Sequence, residues 1–171
     1  NSAVGYNALT AHTTGNYNTA VGSGALTTNT TASKNTAVGY NALTANTDGA
    51  YNTAIGYTAL DSNTTGGYST AVGWNTLTAN TETSNLNAFG AAALAANTTT
   101  DHNTAVGYTA LDANTTGTAN TAFGSKALST TITGSYNTGI GYQALRENTG
   151  ANNTGVGAYT LLVNTTGNVN T

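Results

Sequence analysis

The sequence predicts an all-β fold, a parallel β-solenoid of ten 17-residue coils, and three observations carry that reading. A glycine returns at Gly5, Gly22, Gly39, Gly56, Gly73, Gly90, Gly107, Gly124, Gly141 and Gly157, every 17 residues apart from a last step of 16. Four residues after each glycine stands a leucine: Leu9, Leu26, Leu43, Leu60, Leu77, Leu94, Leu111, Leu128, Leu145 and Leu161. Every coil is a variant of N-T-A-V-G-Y-N-A-L-T-A-N-T-T-G-x-x. A fixed period in this range marks a solenoid or array, and one below the roughly 20–29 residues of leucine-rich repeats suits strands and turns better than strand plus helix. Residues 1–171 therefore read as a single array, with coils starting at 1, 18, 35, 52, 69, 86, 103, 120, 137 and 153.

Taken in order, N-T-A-V-G is the first strand. Alternation puts Thr19 and Val21 on one face and Asn18, Ala20 and Gly22 on the other. Hydrophobicity argues that the valine face is interior, so the expected core ladder is Val4, Val21, Val38, Ile55, Val72, Phe89, Val106, Phe123, Ile140 and Val156 together with the ten leucines. The residue before each Val, Ile or Phe of this ladder is always small, Ala or Gly. That file is expected to form a flat outer face, with Ala20, Ala37, Ala54, Ala71, Ala105 and Ala122 as a self-association surface for a trimer or filament of the chain itself.

A second strand is expected over L-T-A-N-T, with Leu26, Thr28 and Thr30 on the inner side; Ile132 in the Thr30 file supports that side being interior. The N-T-T-G segment makes the turn, since Asn, Thr and Gly suit turn conformations. The single shortened coil, Asn137 to Asn152, loses its residue inside this turn, where a deletion is tolerated. Asparagines recur in two files, one from Asn18 and one from Asn29, and amides stacked about 4.8 Å apart can bond along a ladder. Aromatic residues hold two more files, after the glycine (Tyr6, Tyr40, Tyr57, Trp74, Tyr108, Tyr142) and before the next strand (Tyr17, Tyr51, Tyr68, Tyr136). Neither end carries an atypical polar coil of the kind that caps a solenoid, so the expectation is a piece of a longer array or a subunit whose ends stack on neighbours.

Composition restricts function. Three basic and six acidic residues give a net charge of −3, without the clustered Lys and Arg that nucleic acid requires. No apolar run approaches the roughly 20 residues needed to insert in a bilayer. Cysteine is absent, so neither disulfides nor thiolate metal sites hold the fold. The acids Asp48, Asp61, Glu82, Asp101, Asp112 and Glu147 are scattered over different coils. Asp61 and Asp112 share a file but stand three coils apart, roughly 14 Å at strand spacing, too far for a catalytic dyad. His12 and His102 occupy different repeat positions with no metal-ligand partner nearby in sequence, and no phosphate loop or calcium-binding nonapeptide is written here. The expectation is a non-enzyme with no cofactor and no metal.

The words NTAVGYNALTANTDG (Asn35 to Gly49) and NTAIGYTALDSNTTG (Asn52 to Gly66) resemble repeats that precede endosialidase-type intramolecular chaperone domains in phage tail-fibre and bacterial surface proteins. They are also similar, at longer period, to the N-S-V-A-I-G coils in the heads of trimeric autotransporter adhesins. The resemblance spans the whole array. It implies an extracellular structural or adhesive shaft at a cell surface or on a virion fibre.

The alternative is an ice-binding protein using outward threonine ladders. The expected outward files, from Thr10 and from Thr14, are interrupted by Asp61, Ala95, Asp112, Arg146 and Leu162 and by Asp48 and Glu82. The most regular file, Thr19, Thr36, Thr53, Thr70, Thr104, Thr121, Thr138 and Thr154, lies beside Val and faces inward under the assigned alternation; the opposite phase would favour ice. A third option is a cell-surface glycan held by exposed aromatics, with Tyr40, Tyr57, Trp74 and Tyr108 as the candidates.

Overall fold

The structure, a computed structural model, describes all 171 residues. It is a parallel β-solenoid without helices. Ten three-residue strands stack in one sheet: β1 (Ser2–Val4), β2 (Thr19–Val21), β3 (Thr36–Val38), β4 (Thr53–Ile55), β5 (Thr70–Val72), β6 (Asn87–Phe89), β7 (Thr104–Val106), β8 (Thr121–Phe123), β9 (Thr138–Ile140) and β11 (Thr154–Val156). Equivalent residues pair coil to coil, Thr19 with Thr36, Ala20 with Ala37 and Val21 with Val38. The β-branched residues on either side of the alanine favour the extended backbone. The strand stops at the glycine, whose φ of +128° at Gly22 turns the chain.

The expected second strand forms only as the short pair β10 (Glu147–Asn148) and β12 (Val163–Asn164), in the shortened coil and the one after it. Elsewhere the segment is a run of turns, because every leucine of the repeat adopts a left-handed backbone, with φ between 46° and 56°. That bend lets two successive residues, such as Ala42 and Leu43, both be fully buried. A pleated strand would send them to opposite faces. Coil-to-coil bonding continues regardless: Leu26 N–H donates to the Ala42 carbonyl at 3.0 Å, and Leu43 N–H to Ala59 at 3.0 Å. Of 99 backbone hydrogen bonds only 19 lie within strands, so the turns hold most of the stack.

The interior corrects the strand phase. Ala20, Ala37, Ala54, Ala71, Ala105 and Ala122 are fully buried, so they are core residues and no surface for self-association. Val4, Val21, Ile55, Phe89, Phe123, Ile140 and Val156 are exposed, and Val38, Val72 and Val106 half-buried. The expected Val/Ile/Phe ladder is outside; only the leucine ladder is inside, with Leu26 to Leu145 fully buried and Leu9 and Leu161 partly.

The cause is the asparagine two residues before the small residue in eight of the ten coils, Ser69 and Leu86 holding the position in the other two. Asn35 sends its side chain into the coil, where Nδ2 donates to the Gly49 carbonyl at 2.8 Å and Oδ1 accepts the Asn52 backbone N–H at 2.8 Å. Buried backbone groups must find partners, and residues two apart on a strand share a face. The asparagine therefore carries the alanine inward and leaves Thr and Val outside. Leu, two small residues and two amides then fill the coil.

The second amide also comes from a different residue than the alternation implied. Asn29, Asn46, Asn63, Asn80, Asn97, Asn114 and Asn148 are fully buried, Thr28 and Thr30 half-buried, and Ile132 is exposed. Asn46 Nδ2 donates to Asn29 Oδ1 at 3.0 Å, Asn63 to Asn46 at 2.8 Å and Asn80 to Asn63 at 2.9 Å. Thr131 breaks this file, and its buried hydroxyl has no partner. Thr131→Asn, of nearly equal size, should reconnect the ladder and raise the unfolding free energy by about 1 kcal/mol for each net hydrogen bond regained. A urea midpoint equal to or below that of the parent would count against it.

Candidate functional site

The widest regular surface is the outer face of the ten-stranded sheet. The file Thr19, Thr36, Thr53, Thr70, Thr104, Thr138 and Thr154 is half-buried and Thr121 exposed, with side chains outward. Asn87 interrupts it. Beside it runs the Val/Ile/Phe file, with Phe123 57% and Phe89 41% exposed. The sequence contained a signal for this: all ten inner leucines are identical, whereas the valine file admits Ile and Phe. A close-packed interior resists such volume changes.

Aromatic files border the sheet on both sides. Tyr40 and Tyr57 stack with ring centroids 5.3 Å apart, and Tyr51 and Tyr68 at 4.7 Å. Lys34 Nζ donates to the Tyr51 hydroxyl at 2.8 Å and lies 4.6 Å from its ring centroid. All four proposed surface aromatics are exposed, Tyr40 and Tyr57 at 50% each although they stack on one another, Trp74 at 55% and Tyr108 at 56%.

Neither a family model, a curated protein nor a solved structure matches the chain.

The chemistry of the chain is sparse. No three His, Asp or Glu side chains gather as a metal site would need. His12 Nε2 pairs with Asn1 Nδ2 at 2.9 Å, and His102 lies exposed at a left-handed turn position. The single ion pair joins the adjacent Arg146 and Glu147. Burial pushes the carboxyl of Asp61 above its ordinary 3.8, a shift that hydrogen bonds from Ser62 only partly offset. Burial does the same at Asp112.

A carboxyl whose pKa is higher folded than unfolded favours the fold when protonated. Its contribution is fully present below the ordinary value and lost as pH rises through the raised one. Asp61→Asn should therefore melt higher than the parent at neutral pH, with the gap closing toward about pH 3. Melting curves at both ends of that range test this, and a gap independent of pH would refute it.

Proposed function

We infer that the chain is a structural or adhesive shaft segment of an extracellular fibre, associating with further copies of itself through the outer face of the ten-stranded sheet. One observation carries the reading: ten successive coils present Val, Ile or Phe at a surface position. The neighbouring exposed file before the strand has no such restriction, holding Tyr17, Lys34, Asn85, His102, Ala119 and Val169 among others. A surface position held apolar while its neighbours vary is a position that another surface covers.

The dimensions agree. Nine steps of about 4.8 Å give a face about 43 Å long. With a width of about 15 Å for two outward files, a pair of chains would bury roughly 1,300 Å² in total, within the size of a stable interface. Sheets pack face to face about 10 Å apart, a gap that Val, Ile and Phe from two sides fill. The resemblance of the repeats to those of fibre and adhesin proteins points the same way.

Mass in solution tests it. The parent chain should be an oligomer, and the double variant Val72→Lys with Phe123→Lys a monomer with an unchanged β-sheet circular dichroism spectrum. A monomeric parent at about 50 μM, a concentration at which micromolar association would be visible, would overturn the reading.

The same face supports ice binding as a second reading, because the regular threonine file turns outward. Thr19, Thr36, Thr53 and Thr70 form four unbroken ranks. Asn87, Phe89 and Phe123 then interrupt the plane. Thermal hysteresis from a monomer would displace the shaft reading.

A further inference from the structure

Beyond the edge of the ten-stranded sheet lies a feature that self-association does not explain. A groove of about 480 Å³ crosses three coils, from Tyr108 and Asp112 through Lys126 to Arg146 and Glu147. None of its lining residues belongs to the ten-stranded sheet, so a second chain on that sheet leaves it open.

Small residues stand at and beside it. Ser129 stands in the file after the leucine, between Asp112 and Arg146, which are held two coils apart. In the aromatic file Tyr108 has Ala91 on one side and Ser125 on the other. Tyr40 and Tyr57 stack on one another, whereas the ring of Tyr108 has no aromatic partner and is 56% exposed.

The charges are equally uneven. The chain has three cationic side chains, and two of them, Lys126 and Arg146, line this groove, with the carboxylates of Asp112 and Glu147 beside them. Arg146 is held by Gln143 Oε1 at 3.2 Å and by Glu147. Asp112 and Lys126 both line the groove without forming an ion pair, so an acceptor and a donor are available there.

We propose that this groove binds a neutral hexopyranose unit of a polysaccharide, with the Tyr108 ring against the C–H face of the sugar and Asp112, Lys126 and Arg146 on its hydroxyls. Two positive and two negative groups cancel, which disfavours a phosphate, a uronate or any other net charge. Only Tyr108 and Ala113 are apolar among the lining residues, which disfavours an apolar ligand. A polyhydroxyl compound offers donors and acceptors to both signs of charge and a C–H face to the ring. The proposal is independent of the shaft reading, since a monomer and an oligomer both keep the groove.

The experiment is an NMR titration of the full chain with cellotetraose, mannotetraose and galactotetraose, with a hyaluronan tetrasaccharide as the charged comparison. At least one neutral sugar should bind with a dissociation constant near about 1 mM, shifting the amides of Tyr108, Asp112 and Lys126. Tyr108→Ala and Asp112→Asn should each weaken binding about tenfold, a loss of one good contact, and Tyr57→Ala should leave it unchanged. Tyr57 and Tyr108 are exposed and Asp112 half-buried, so the three variants should keep the parent's circular dichroism. Absence of binding by all three neutral sugars at about ten times that concentration, equal binding of the hyaluronan, or indifference to Tyr108→Ala would each overturn the proposal.

Discussion

Gly56→Ala is expected to break the array at its fourth coil. Gly56 has φ +140°, which side-chain-bearing residues rarely adopt, and an added Cβ would lie 2.2 Å from the Gly73 carbonyl oxygen of the next coil. The obstacle is backbone, so no rotamer relieves it. Relief requires the coils to separate, and that weakens the bond of 2.8 Å from Gly73 N–H to the Ile55 carbonyl. Backbone strain of about 1–3 kcal/mol and the loss of cross-coil hydrogen bonds worth about 1 kcal/mol each put the cost at roughly 4 kcal/mol or more. Because each coil touches only its neighbours, the damage should appear as separate unfolding of the two flanking blocks. A single denaturation transition at the parent's midpoint would show that the stack can absorb the methyl group.

Asn52→Ala is expected to cost roughly 2–4 kcal/mol, because it strands two buried backbone groups at about 1–3 kcal/mol each. Asn52 Nδ2 donates to the Gly66 carbonyl at 2.7 Å, and its Oδ1 accepts the Ser69 N–H at 3.0 Å. Asn52→Leu should be the milder change. Two coils further on, Leu86 already occupies this file, fully buried, with its own N–H donating to Ser69 Oγ at 3.3 Å. Packing there replaces what the amide supplied. Equilibrium urea unfolding of both variants ranks them, and an alanine variant as stable as the parent would mean that these amides contribute nothing.

Much of this fold is legible in the residues. The period of 17, the interior leucine at every coil and the N-T-T-G turn that absorbs the deletion near Asn148 all follow from spacing alone. The strand phase does not. In a strand of three residues, alternation permits either Thr and Val or Ala to face inward, and hydrophobicity chooses wrongly. The deciding quantity is the hydrogen bonding of Asn18 and its equivalents, which depends on the carbonyl waiting in the following turn at Ala32. That carbonyl is fourteen residues away, and no local pattern announces it.

The turns around each leucine were hidden for another reason. Leucine has no intrinsic preference for positive φ, and only the repetition of the same bend through ten coils makes it visible. The exposed face and the groove between Tyr108 and Arg146 depend on those two features. They could be located only once the phase and the bend were known.

The register of the coils also bears on how such a molecule comes into being. Each rung meets the one before it across a separation of 16 or 17 residues, whatever the total length, so the entropic penalty of closing each successive loop stays constant. Growth can proceed by zippering from any formed pair of rungs. Copying one rung within the gene would then lengthen the rod by one step without demanding a new solution to the folding problem.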